Sequence, residues 1–435
     1  MALTVAIIGA GPSGFYAAAA LIKLGLDVQI DILERLPTPF GLIRAGVAPD
    51  HQSTKNVIRS FTRTALEPPV HYYGNVTVGR DLSLAELRGI YDAVVVASGA
   101  PSDRPLGVPG SDKAGCYGAA EFVGWYNGHP DLRGLNPDLD TSAVCVVGVG
   151  NVAIDVARVL VKTPAEMAGS DLTDYAAEAI HKAPITDVYI IGRRGPVQAK
   201  FTHKELREMG GLEDCTALAD PAQMPETIEE ELSERDRRLR EKNLATLKSY
   251  AENTPDPGKR KRVHFVFFAA PKEVLGGERV EGLRLERTRL EGGRAVGSGE
   301  TFDIACGAVV AAIGYRFDLI EGLPPDERTG VVANREGRVD GGLYVVGWAK
   351  RGPTGVIGTN KHDGDRAAEQ IQEDIGDGDK PGRPALEALL GERGVRWVSF
   401  EDWQRIDSAE VAAAPPGAPR RKFVRVAEML DLLDE

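Results

Sequence analysis

The sequence is poor in cysteine. Its four, Cys116, Cys145, Cys215 and Cys306, are scattered and form no CxxC pair. That excludes a dithiol redox centre of the thioredoxin-reductase kind and leaves no spacing for a zinc or iron–sulfur site, so no metal is expected. Cys145 lies in an apolar run and reads as core. No disulfide framework is required, which fits a reducing cytoplasm. Positive charge is in deficit: 52 Lys and Arg stand against 64 Asp and Glu, a net charge of −12. This argues against general nucleic-acid binding but leaves room for a local basic patch facing an acidic partner. No uncharged apolar run approaches the roughly 20 residues of a membrane span. The chain enters a strand pattern at once, so no signal or transit segment is expected. Its 435 residues allow two or three domains with sizeable cores.

What is present begins at residue 5. Val5-Ala6-Ile7-Ile8 reads as a buried strand, Gly9, Gly11 and Gly14 take the G-x-G-x-x-G spacing, and an Ala-rich helix follows to about Leu24. In this arrangement the first glycine permits a tight turn, the second lets backbone approach a pyrophosphate, and the third lets helix and strand pack closely. The exposed N–H groups and positive dipole end of the helix face the phosphates. A second strand, DVQIDILER, ends at Glu34, 25 residues after Gly9. That is near the spacing of about 20 expected for an acid on a ribose hydroxyl. Strand, glycines, helix, strand and acid in this order mark a dinucleotide site.

PFGLIRAGVAPDHQSTKNV follows as a loop that turns helical from about Ser53. Val76 and Val78 are read in a short strand, and YDAVVVASGA is a further buried strand ending in small residues, where a ligand or a crossing backbone can come close. The Pro- and Gly-rich stretch 101–110 reads as a crossover between domains.

A second fingerprint lies in SAVCVVGVGNVAIDVARVL. Val144–Val147 is the strand, Gly148-Val149-Gly150 the turn, Asn151–Leu160 the helix, and Ala153 replaces the third glycine. The next strand, 186–191, ends in Arg193-Arg194 instead of an acid. Arginines at that place select a 2′-phosphate through bidentate charge-assisted hydrogen bonds, so this second site favours NADP(H) over NAD(H). The interval from Gly148 to Arg193 is lengthened by an insertion at about 163–184. Residues 213–262 are polar and helical in pattern, and 262–276 returns to strand, as do EGLRLERTRL and GAVVAAIGYR. The return crossover is placed near 316–330. In GLYVVGWAKRGPTGVIGTNKHDG a strand ends at Gly347, a glycine-rich loop follows, and a helix is expected from about Thr354 or Gly355. Such a helix N-terminus stabilises the charge that builds on a reduced flavin ring, and Trp348 is flat enough to cover one. After residue 380 the chain is Pro- and Gly-rich, then helical in short pieces, without apparent chemistry.

Four motifs together, PFGLIRAGVAPDH, GVGNVAIDVAR, GRRGPVQAKFTHKELRE and GWAKRGPTGVIGTNK, closely resemble the adrenodoxin-reductase-like ferredoxin–NADP(+) reductases, and the likeness runs to about residue 430. The resemblance implies an α/β fold of two Rossmann-like ββα three-layer domains. The FAD domain would be split (1–104 and 321–435) around an inserted NADP domain (105–320). It implies FAD contacts at Ser13, Glu34, Leu42, Val78, Trp348, Gly355, Val356 and Ile357, beside the glycine turn. NADP contacts are implied at Val149, Gly150, Asn151, Val152, Arg193, Arg194, Glu205 and again Gly355. His51 and Glu208 match residues near the nicotinamide–flavin contact, and Asp155 lies close to them in motif order. These three are the candidates for orienting the nicotinamide and handling protons. The implied reaction is hydride transfer from NADPH to flavin N5, then release of single electrons to an iron–sulfur protein. Ferredoxins are acidic, so Lys200, His203, Lys204 and Arg207 are the expected docking patch, on a protein expected to be a monomer.

Three rivals share parts of this pattern. A disulfide reductase on the same scaffold needs the CxxC that is missing. The electron-supplying subunit of a glutamate synthase shares the two-site layout but carries a cysteine region ahead of the first strand. An NADPH-sensing flavoprotein would reduce its flavin once and stall.

Overall fold

The computed structural model describes residues 2–434. The chain divides into two compact units. The first takes the chain up to Ser102, Asn127–Asp131, and the chain from Tyr315 onward. The second takes Asp103–Tyr126 and Leu132–Gly314. Among the described residues no helix is long and apolar enough to cross a membrane.

In the first unit six strands form one sheet in the order Arg338–Asp340, Leu343–Val345, Ala93–Val96, Leu3–Ile8, Val28–Leu33, Val70–Tyr73. All pairings are parallel except the first. Continuous apolar runs such as AVVV form these strands because both faces are covered. Alternation decides which residue faces which side. Val5, Ile7, Ile30, Ile32 and Val95 join one cluster with Phe15, Phe61 and Ile371 from helices. Ala6, Ile8, Leu33, Val94 and Val96 join the opposite one. That second face is covered by the helices Leu84–Ile90 and Arg383–Glu392 and by the two-stranded ladder Pro325–Asp326 with Val331–Val332.

The second unit repeats the plan with six parallel strands, ordered Cys116–Gly118, Ala308–Ala311, Ala143–Val147, Asp187–Ile191, Lys261–Val266, Cys215–Ala219. Val144, Val146, Val188 and Ile190 face the helices. Ala143, Cys145 and Val147 face an antiparallel sheet of Ala269–Leu275, Gly282–Glu291 and Arg294–Ala305, giving two sheets and a helical layer.

Several local expectations are corrected. Val76 and Val78 are not in a strand of the sheet: its pairing ends at Tyr73, Gly74 and Val78 make only isolated bridges to Val398 and Leu82, and the Asp81 carboxylate accepts the Thr77 N–H. The helical stretch expected from about Ser53 is two helices: Gln52–Lys55, with His51 as N-cap, and Ile58–Ala65. No helix begins at Thr354 or Gly355. Gly355 has φ +86, the left-handed region, and the long helix is Thr359–Asp374, preceded by the short Trp348–Arg351. Residues 213–262 hold the strand Cys215–Ala219 as well as the helix Glu234–Ala251. The chain passes between units at Gly314/Tyr315, ahead of the expected crossover. The region after 380 builds three helices, Arg383–Glu392, Phe400–Ala412 and Val426–Asp434, whose Leu386, Trp403, Ile406 and Met429 are core residues of the first unit.

Candidate functional sites

Parallel strands put their C-terminal ends along one edge, and each unit carries its glycine turn there, where open α/β sheets bind ligands. In the first unit Gly9 has φ +110, and a Cβ on it would lie 2.7 Å from the Ala97 carbonyl oxygen. This is why the strand Ala93–Val96 runs out into small residues. Gly14 is pressed against the Gly9 carbonyl, whereas a Cβ on Gly11 would meet nothing within 4 Å. The helix Pro12–Lys23 has Gly11 as N-cap and no side-chain cap. Its first N–H groups are therefore left for an anion.

Glu34 follows the strand Val28–Leu33. Its carboxylate accepts the Ala10 N–H (3.0 Å) and the Leu36 N–H (3.2 Å). Burial pushes its pKa up, and the two backbone donors oppose that shift. Ser13 is buried and donates to Asn360 Oδ1 at 3.1 Å. The Asp363 carboxylate, also buried, accepts the Gly347 N–H (3.1 Å), Lys350 Nζ (3.0 Å) and Arg351. Neither Asn360 nor Asp363 was assigned a role by sequence reasoning. Polar residues on the inward face of an otherwise packed helix were the available signal. Leu42 and Val356 are 43% and 63% exposed, apolar surface left uncovered at the expected flavin contacts. Trp348 is half-buried and stacks on Tyr315 at 5.6 Å. Ile357 packs on the core edge, and Val78 bridges to Leu82. His51 is buried, with its carbonyl accepting the Thr54 N–H at 3.0 Å.

The second unit reproduces the device. Gly148, φ +142, is pressed against the Ala312 carbonyl, and a Cβ on Gly150 would again meet nothing within 4 Å. The helix Asn151–Val161 has Gly150 as N-cap and no side-chain cap. Asn151 Oδ1 accepts the Thr202 N–H (2.8 Å) and the Val149 carbonyl accepts the Lys200 N–H (2.8 Å), so the segment 200–202 is pinned to the turn. Val152 lies on the adjoining core edge. Arg193 and Arg194 hang from a backbone fixed by Thr288 Oγ1 on the Arg193 carbonyl (2.7 Å) and the Phe268 N–H on the Arg194 carbonyl (3.1 Å). Among the described residues neither guanidinium has an ion-pair partner, and Arg194 lines a cavity of about 490 Å3 with Gln198, Lys200, Arg240 and the acids Glu230 and Glu231, of which Glu230 pairs with Arg240. Glu205 Oε2 is buried without a hydrogen-bond partner.

Asp155, Arg158 and Glu208 come together. Arg158, fully buried, pairs with Asp155 at 2.8 Å and lies 3.9 Å from Glu208, which is also 3.9 Å from Lys204. Arg158 was missed by sequence reasoning; an arginine inside VARVL, three residues from Asp155, was the signal. Of the expected patch, Lys200, Lys204 and Arg207 are exposed and His203 half-buried. All four cysteines are free. Burial pushes Cys116 up to about 11 and Cys215 up to about 12, and the neighbouring Cys306 thiol together with burial raises Cys145. Thiolate chemistry is disfavoured at these three.

Both seats fit a dinucleotide: open glycines, uncapped helix N-termini, a carboxylate in one and unpartnered arginines in the other. Comparison with known proteins agrees. Residues 3–210 match the pyridine nucleotide-disulphide oxidoreductase family model. NADPH:adrenodoxin oxidoreductase of Arabidopsis thaliana is 43% identical, over 98% of this chain and 95% of the relative. NADPH-ferredoxin reductase FprA of Mycobacterium leprae is 42% identical, over 98% of this chain and 97% of the relative. The structure of Mycobacterium tuberculosis FprA in complex with NADPH superposes with a TM-score of 0.96 at 39% identity, each chain covered completely. With its two glycine seats and likeness across its length, the chain belongs to the adrenodoxin-reductase-like NADPH–ferredoxin reductase family.

Proposed function

We propose that this protein is an FAD-containing NADPH–ferredoxin reductase, with FAD in the first unit and NADP(H) in the second. The observation that carries the assignment of the seats is the contrast between Glu34 and the Arg193–Arg194 pair. A carboxylate accepts hydrogen bonds from ribose hydroxyls and repels a phosphate, whereas two unpartnered guanidiniums hold one. Bound FAD supplies the conversion of a hydride equivalent into single electrons. The side chains supply placement. Gly11 and Gly150 admit the pyrophosphates to the helix N-termini, Leu42, Trp348 and the turn Gly355–Val356–Ile357 flank the flavin, and Glu205 accepts from a nucleotide hydroxyl. His51, Glu208 and Asp155 orient the nicotinamide and hold protons; the buried Arg158, paired with Asp155 and 3.9 Å from Glu208, holds the last two in place.

The electron acceptor is an acidic ferredoxin-type iron–sulfur protein docking on Lys200, His203, Lys204 and Arg207, and the protein acts as a monomer in a reducing cytoplasm. Electrostatic steering of this kind weakens as salt screens it. The test is NADPH turnover with a dye and then with an acidic ferredoxin coupled to cytochrome c. Sustained turnover with both, falling with salt only for the ferredoxin, is expected. A protein that takes up one equivalent of hydride and stops is not a reductase.

A further inference from the structure

The helix Phe400–Ala412, the second of the three after residue 380, reaches back to the loop beside the first glycine turn. That loop begins with the Phe40 N–H on the Ala10 carbonyl (2.8 Å). Gly41 follows at φ +47, where a Cβ would sit 3.1 Å from Gly11 Cα. The next four residues, Leu42–Ala45, form a helix without a side-chain cap. A single turn is unstable by itself and needs anchors from outside. The anchor is Arg44. Its guanidinium forms a two-pronged ion pair with Glu410, one contact at 2.8 Å, and lies 5.2 Å from the Trp403 ring centre. Glu410 is fully buried and also accepts the Phe423 N–H (2.8 Å) and Arg420 (3.2 Å). Buried Lys422 adds a bond from its Nζ to the Arg44 carbonyl at 3.1 Å. A buried pair of this kind adds little net stability compared with apolar residues of the same size. What a two-pronged contact supplies is orientation.

We propose that Glu410 is a positioning residue for the flavin seat, fixing through Arg44 the segment 40–46 against the Gly9–Gly11 turn. The proposal rests on the first unit being the FAD domain. It gives the C-terminal region a part in cofactor binding that its sequence does not display.

The test compares Glu410→Gln, Arg44→Lys and the double variant Arg44→Met/Glu410→Met with wild-type protein. Arg338→Met is the comparison, because it breaks an ion-pair cluster with Glu373 and Asp374 elsewhere in the unit. FAD dissociation, the visible circular dichroism of bound flavin and the KM for NADPH are measured. The Glu410 and Arg44 variants are expected to release FAD about 10- to 100-fold more readily, the effect of losing a partner behind a ligand-binding group. Their flavin dichroism changes and their KM for NADPH holds. Arg338→Met lowers the melting temperature and leaves FAD affinity and dichroism alone. If the two polar variants fail to fold, the double variant, which removes both members of the pair and leaves Arg420 on Asp407, decides. Unaltered FAD affinity and dichroism in variants that fold, or equal weakening in Arg338→Met, overturns the proposal. Wild-type protein that binds NADPH but no FAD overturns the assignment of the first unit, and the proposal with it.

Discussion

The carbonyl oxygen of Gly9 lies where a side chain on Gly14 would begin. Gly11, between them, faces open space. Three glycines of one motif therefore answer to different demands, and substitution separates them. Gly14→Ala has to push backbone aside and is expected to destabilise the apoprotein by about 1–3 kcal/mol, the usual range for overpacking. Gly11→Ala is expected to leave apoprotein melting close to wild type while FAD content falls, because its methyl group occupies the pyrophosphate's approach. Thermal unfolding of the FAD-free proteins and flavin absorbance of the purified ones check both. Equal melting of the two variants would contradict this division of labour.

In the proposed function Arg193 and Arg194 carry the choice of nucleotide. A hydrogen bond to a charged group contributes about 1.5–3 kcal/mol, so the double alanine variant is expected to raise the KM for NADPH by about 100-fold or more. The KM for NADH, which has no 2′-phosphate, stays within about threefold on the same grounds. Steady-state kinetics with both nucleotides decides. An unchanged preference removes the 2′-phosphate assignment.

His129 gives the first unit a pH response. Arg35, next to Glu34, reaches it at 3.2 Å and pairs with Asp131 at 2.6 Å. Burial, and then Arg35, pushes the imidazole down from its ordinary 6.5 to about 4. Between those values the unfolded chain holds a proton that the folded chain does not. Stability is therefore complete above the unfolded value and declines as pH falls from about 6.5 toward 4. His129→Gln removes that slope. From about pH 7.5 to about pH 4.5 the wild type is expected to lose about 1–2 kcal/mol more than the variant, allowing for solvent screening of a half-buried ring. Urea unfolding across that range measures the difference.

Much of this was legible because it follows from local rules. Apolar runs of four to six residues, glycines at fixed spacing and the residue ending the next strand located both seats before any fold was known. The strands in YDAVVVASGA and GAVVAAIGYR both run out into small residues, and there Ala97 and Ala312 each bring a carbonyl against the first glycine of their unit's fingerprint. What was hidden depends on distant partners. Glu410 meets Arg44 across 366 positions, and Asn360 meets Ser13 across 347. The strand Arg294–Ala305 escaped because its residues are mostly exposed and polar; the Gly292–Gly293 turn, with φ +56 and +76, was its only local mark. The helix expected at Gly355 failed because the left-handed backbone there delays it to Thr359.

Asp363 supplies the last prediction. It is 5% exposed and holds the Gly347 N–H, Lys350 and Arg351 together, so it fixes the short helix that carries Trp348. Asp363→Asn keeps the shape but leaves two mostly buried cations without their counter-charge. Breaking one side of such a cluster costs about 3–5 kcal/mol. The variant is expected to unfold correspondingly earlier in urea and to lose flavin. Adding Arg351→Met removes one stranded charge and is expected to restore about half of the loss, because contacting residues are not additive. If the two substitutions simply added, the cluster would not be acting as a unit, and Asp363 would be one hydrogen-bond acceptor among many.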